Sequence, residues 1–86
     1  MEIISSLNLN DLIKNVILLN YEINFSKFGN SLSVVISKQI LNNKINNIKI
    51  SQAVPINYLN DINKMNSLVN FMINKLEKNI IDNIMN

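Results

Sequence analysis

The sequence predicts an α+β fold: an N-terminal helix, a three-stranded antiparallel sheet built on a hairpin turning at Gly29-Asn30, and a long C-terminal helix packed on the sheet. Three observations carry that expectation. Apolar residues recur at helical spacing near both ends of the chain, they alternate with polar residues on either side of Gly29-Asn30, and Ile48 to Val54 alternates again before the lone proline, Pro55.

The first helix is read from Leu9, Leu12, Ile13, Val16 and Ile17, an i, i+3, i+4, i+7, i+8 stripe within residues 9–19. Asn8 is placed to cap it, Asp11 sits where the helix dipole favours an acid, and the helix should end near Asn20. Gly29 is the only glycine in the chain. Followed by Asn30, it suits the first central position of a type II′ turn, which needs a positive φ. That turn sets a register pairing Phe28 with Ser31, Lys27 with Leu32, Phe25 with Val34, Ile23 with Ile36 and Tyr21 with Lys38. Tyr21, Ile23, Phe25, Leu32, Val34 and Ile36 then share one face, and Phe28 and Val35 interrupt the polar face opposite.

Beyond the hairpin, the Asn-Asn pairs within Gln39 to Asn47 mark a loop, with room for one helical turn. A third strand is expected over Ile48 to Val54, where Gln52 breaks the inward row and Pro55 ends the ladder. Asn57 to Asp61 reads as a connector. From about Lys64 a long helix carries Ile62, Met65, Val69, Met72, Ile73, Leu76, Ile80 and Ile84 in one stripe able to cover the sheet. Phe71, Ile81 and Met85 fall on the far side of that helix.

Residues 1–86 are large enough for one domain with a modest core. Charged residues are 16 % of the chain and hydrophobic ones 48 %, which excludes a charge-driven disordered segment. Asparagine is the commonest polar residue. The net charge of +2 is too small to drive nucleic-acid or membrane binding by itself. Whether Lys27, Lys38, Lys44 and Lys49, grouped around the hairpin and third strand, meet nucleic acid stays open. The longest unbroken apolar run is Val16 to Leu19, and MEIISSLNLN has no basic region, so neither a membrane span nor a signal peptide is expected. With no cysteine, a reducing bacterial cytoplasm is the expected compartment.

The residue types also narrow the chemistry. The chain has no His, Cys or Arg, hence no imidazole acid-base, no thiolate and no guanidinium clamp for phosphate. Its six carboxylates show no metal-ligand spacing, and one glycine cannot make a phosphate loop. No catalytic residue, metal or cofactor is expected, and the chain reads as a non-enzyme. Phe28, Val35, Phe71 and Ile81 are apolar residues without a place in the core, and they are the candidate partner-binding residues.

Two resemblances bear on function. Lys27 to Leu41, KFGNSLSVVISKQIL, resembles the swapped-hairpin DNA-binding segment of the AbrB/MazE family at Lys27, Gly29, Asn30, Ser31, Leu32, Val34, Ile36 and Lys38. That resemblance implies a homodimer acting as an operator-binding antitoxin or transcription regulator. Val35 and Ser37 stand where the family commonly has Arg and Pro. The whole-chain layout, with Asn8-Leu9-Asn10-Asp11-Leu12-Ile13 followed by Tyr21, is similar to small phage anti-CRISPR proteins of the Listeria prophage Cas9-inhibitor type. This second resemblance implies an inhibitor of a bacterial defence system, bound to a protein partner such as a CRISPR effector. A basic chain would do this by occupying a protein surface rather than by imitating DNA.

Overall fold

The computed structural model describes residues 4, 7–42 and 44–85, and the side chains of these other than 41, 42, 44–46 and 83–85. Helix α1 (Leu9–Leu18) leads into strands β1 (Glu22–Phe28), β2 (Ser31–Asn42) and β3 (Lys44–Pro55). A 3-10 helix (Ile56–Asn60) and helix α2 (Ile62–Met85) follow. The strands form an antiparallel sheet in the order β1-β2-β3, with both helices on one of its faces.

Both ends of α1 are closed by asparagine, for different reasons. The Asn8 side chain accepts a hydrogen bond from the Asp11 N–H at 2.9 Å, satisfying an amide that the first turn leaves without a helical partner. At the other end Asn20 has φ +67. Its N–H donates to Ile17 O at 2.9 Å and that of Tyr21 to Val16 O at 3.2 Å, the paired bonds of a Schellman motif. The left-handed residue turns the chain back, and Tyr21 enters the core beside Val16. Leu12 and Val16 are buried, but Ile17, expected on the same stripe, is 58 % exposed. Packing against β1 and α2 uses a narrow strip of α1, and Ile17 lies at the margin of the stripe, past the contact.

The Gly29-Asn30 turn forms with the expected register: Phe28 opposite Ser31, Lys27 opposite Leu32, Phe25 opposite Val34 and Ile23 opposite Ile36. Gly29 has φ +57, while a Cβ built there would meet nothing within 4 Å. The glycine is therefore required by its backbone angle and not by crowding. The Asn30 carbonyl accepts from the Ile56 N–H at 2.8 Å, which ties the turn to the first residue after Pro55. Pro55 ends β3, as a residue without an N–H should.

The expected loop over Gln39 to Asn47 is replaced by strand. β2 runs on to Asn42 and β3 begins at Lys44, with Gln39 opposite Asn47, Ile40 opposite Asn46 and Leu41 opposite Ile45. Once two antiparallel strands are in register, each further pair closes backbone bonds whatever its side chains, so asparagines that favour turns in isolation are carried into the ladder. The ribbon outruns β1, whose last partner on β2 is Ser37. Twelve residues of strand span roughly 40 Å, which accounts for the 41 Å long axis of the molecule.

The core lies between the inner sheet face and the helices. Leu32, Val34 and Ile36 meet Met65, Val69, Met72, Ile73 and Leu76 of α2, Leu12 and Val16 of α1, and Tyr21 and Ile4. Ile62 and Ile80 are half-buried at the ends of the α2 stripe; the side chains expected there for Ile84, and opposite for Met85, lie outside the described residues. Helix α2 starts two residues earlier than the sequence suggests because Asp61 caps it, its Oδ1 accepting from the Lys64 N–H at 3.2 Å. The preceding connector is a 3-10 helix and not an open loop.

Candidate functional site: a lysine-rimmed groove

Where the 3-10 helix meets the first half of α2, a groove of about 410 Å³ opens, lined by Tyr58, Asn63, Lys64, Ser67, Leu68 and Phe71. Its position follows from the chain path. Pro55 and the Ile56–Asn30 bond turn the backbone away from the sheet, and five residues of 3-10 helix bring Tyr58 alongside α2 before Asp61 restarts the chain as helix. Residues 64, 67, 68 and 71 share one side of α2 by their spacing of three and four, turned away from the buried stripe at Met65, Val69 and Met72.

Two ammonium groups lie over the aromatic rings of this side. Lys64 Nζ is 5.7 Å from the centroid of Tyr58, and Lys75 Nζ is 5.5 Å from that of Phe71. Each is a cation–π contact, worth about 0.5–1 kcal/mol at an exposed position, enough to bias where a long side chain rests. The amino groups are thereby held at the rim over an apolar lining.

The four residues singled out from the sequence are dispersed. Phe71 is 55 % exposed and belongs to the groove, whereas Ile81, 56 % exposed, lies ten residues further along α2. That separation is roughly 15 Å of helix. Phe28, 68 % exposed, and half-buried Val35 share the outer face of the sheet, away from both helices. Val35 stands at its centre, between Asn24 on β1 and Ser51 on β3, and Phe28 near the turn. Their neighbours on that face include the small side chains of Ser26, Ser33, Ser37 and Ala53.

The hairpin lysines are also divided. Lys27 and Lys38 stand in the inward-facing rows, Lys38 with its Nζ 4.7 Å over the ring of Tyr21, while Lys49 is exposed on the outer face opposite Ser37. The side chain of Lys44 lies outside the described residues.

Sequence reasoning missed the 3-10 helix, and with it Tyr58 as a partner for Lys64 and Leu68. The signal available was Pro55-Ile56-Asn57-Tyr58, where a proline is followed by apolar residues two apart. Exposed Leu7 and Leu18 were missed as well; with Asp11, Lys14 and Asn15 they line a second depression, of about 310 Å³, on the outer side of α1.

A hydrogen bond joins α2 to the residue that precedes β1. Tyr21 Oη donates to Glu77 Oε1 at 3.1 Å. Burial, and then the negative charge and hydrogen bond of Glu77, push the phenol up to about 12. Glu77 is thus engaged on the side of α2 away from the groove. Among the described residues, no three carboxylates gather closely enough to hold a cation, and no helix is long and apolar enough to cross a membrane. No family model, curated protein or solved structure matches the chain.

Proposed function

We propose that the chain is a non-catalytic protein-binding module, and that it acts for a phage or mobile element by occupying a surface on a bacterial defence component, in the manner of an anti-CRISPR inhibitor. The observation that carries this reading is the groove. Tyr58, Leu68 and Phe71 form one apolar recess on an otherwise polar helix face, the arrangement in which aromatic anchors bind partners. The class of partner comes from the resemblance in layout to small phage inhibitors, and a bacterial cytoplasm is where such a partner would be met.

The reading is tested in cells that carry an active CRISPR system. Expression of the chain should restore plating of a targeted phage, and purified chain should suppress target cleavage by the isolated effector. Unchanged interference together with salt-sensitive retention of operator DNA would replace it with the AbrB/MazE-like regulator.

A further inference from the structure

Lys64, Phe71, Lys75 and Lys78 follow one another at i, i+7, i+11 and i+14 on α2, one continuous side of the helix with Ser67 and Leu68 between them. From Lys64 to Lys78 that side carries three lysines and no acid, with Asp61 three residues before Lys64 and Asp82 four residues after Lys78 bracketing it. Asp61 is at the N-terminal end, its carboxylate capping the Lys64 N–H, Glu77 is turned to Tyr21, and Asp82 comes only one turn past Lys78. The chain as a whole is only +2, so three lysines on about four turns of one helix side, with no acid between them on that side, are a local concentration.

From the rim of ammonium groups over an apolar floor we infer that the groove takes an acidic peptide segment of its partner, one or two apolar side chains seated on Tyr58, Leu68 and Phe71 and flanking Asp or Glu residues facing Lys64, Lys75 and Lys78. The inference rests on the protein-binding reading above and names the chemistry of the partner. Charge complementarity selects this occupant, because a neutral or basic amphipathic segment would leave the lysines unanswered. The floor selects a peptide over single-stranded nucleic acid. Half-buried Tyr58 and exposed Phe71 each already carry a lysine against one ring face, and Leu68 offers nothing for a base to stack on. A volume of about 410 Å³ holds a few side chains, fitting anchors of a segment rather than a whole domain.

The test is a random peptide display library selected on the full chain, on Phe71→Asp, and on the double variant Lys64→Glu/Lys75→Glu, each first shown by thermal unfolding to be folded. A labelled oligothymidylate is titrated in parallel. Wild type should enrich peptides with apolar anchors flanked by Asp or Glu. A synthesised winner should bind about tenfold more weakly when salt rises from about 0.05 to about 0.5 M and at least about tenfold more weakly to Phe71→Asp. The charge-reversed variant should enrich basic flanks instead. Failure to enrich any peptide, enrichment without acidic bias, or flanks unaltered by charge reversal would overturn the inference. Oligothymidylate binding that depends on Phe71 and Lys64 would reassign the groove to nucleic acid. A CRISPR effector captured equally well by wild type and Phe71→Asp would overturn this site while leaving the inhibitor reading in place.

Discussion

Asn70 holds Ile4 as a neighbouring strand would: its Oδ1 accepts from the Ile4 N–H at 2.8 Å and its Nδ2 donates to the Ile4 carbonyl at 3.2 Å. The same Nδ2 donates to Asn66 O at 2.9 Å, one turn back along α2. A side-chain amide thus stands in for a peptide group and lets an apolar residue near the N-terminus complete the core without a strand of its own. Both residues are buried, so the polar atoms have no water to fall back on.

Replacing Asn70 by leucine keeps the branched outline of the side chain and removes both partners of Ile4. The loss should be about 3 kcal/mol, the cost of two buried backbone groups left unsatisfied. Ile4→Ala should cost about 2–3 kcal/mol through lost burial. Because the backbone bonds to Asn70 and the buried Ile4 side chain dock the same residue, the double variant should lose less than the sum. Urea midpoints of the four proteins measure this, and strict additivity would show that Ile4 and Asn70 act independently.

The backbone angles at Asn20 and Gly29 make opposite predictions. Asn20 already pays for φ +67, so Asn20→Gly should stabilise by about 0.5–1 kcal/mol. Gly29→Ala should destabilise by about 1–2 kcal/mol although space is free around it, since the penalty is in the angle alone. Thermal unfolding of both variants separates the effects.

Tyr21 sets an alkaline limit. Its phenol is raised to about 12 by burial and by Glu77, above the ordinary value near 10 in the unfolded chain. The neutral phenol is therefore favoured by folding. This contribution is complete below about pH 10 and is lost as pH rises toward about 12. Tyr21→Phe should cost about 1 kcal/mol at neutral pH, from the lost hydrogen bond. The stability gap between wild type and variant should then narrow above about pH 10; a constant gap to about pH 12 would refute the assignment.

What could be read from the residues was what local physics decides. The turn at Gly29-Asn30, the register it imposes, the cap at Asn8 and the buried stripe of α2 each follow from spacing and from the demands of one or two residue types. The extension of the β2–β3 ribbon was not legible, because Asn42, Asn46 and Asn47 favour turns alone and are held in strand by the ladder that the rest of β2 and β3 propagates to them. Asn70 looked like any other asparagine on a helix, since its burial depends on a residue 66 positions away. Of the candidate site, Phe71 was visible as an apolar residue off the stripe. Tyr58 was not, because its approach to Lys64 needs the 3-10 helix after Pro55. The dispersal of Phe28, Val35, Phe71 and Ile81 over two sides of the molecule also depends on which sheet face the helices cover.

If the groove at Phe71 is where the proposed partner docks, capture of that partner depends on Phe71. The most direct measurement is parallel affinity capture from host cells with tagged wild type, Phe71→Asp and Phe28→Asp, all matched for thermal stability. Wild type should retain a defence component, reduced at least about tenfold on Phe71→Asp, with Phe28→Asp reporting whether the outer sheet face contributes. Undiminished capture of the same component by folded Phe71→Asp would contradict docking at the groove.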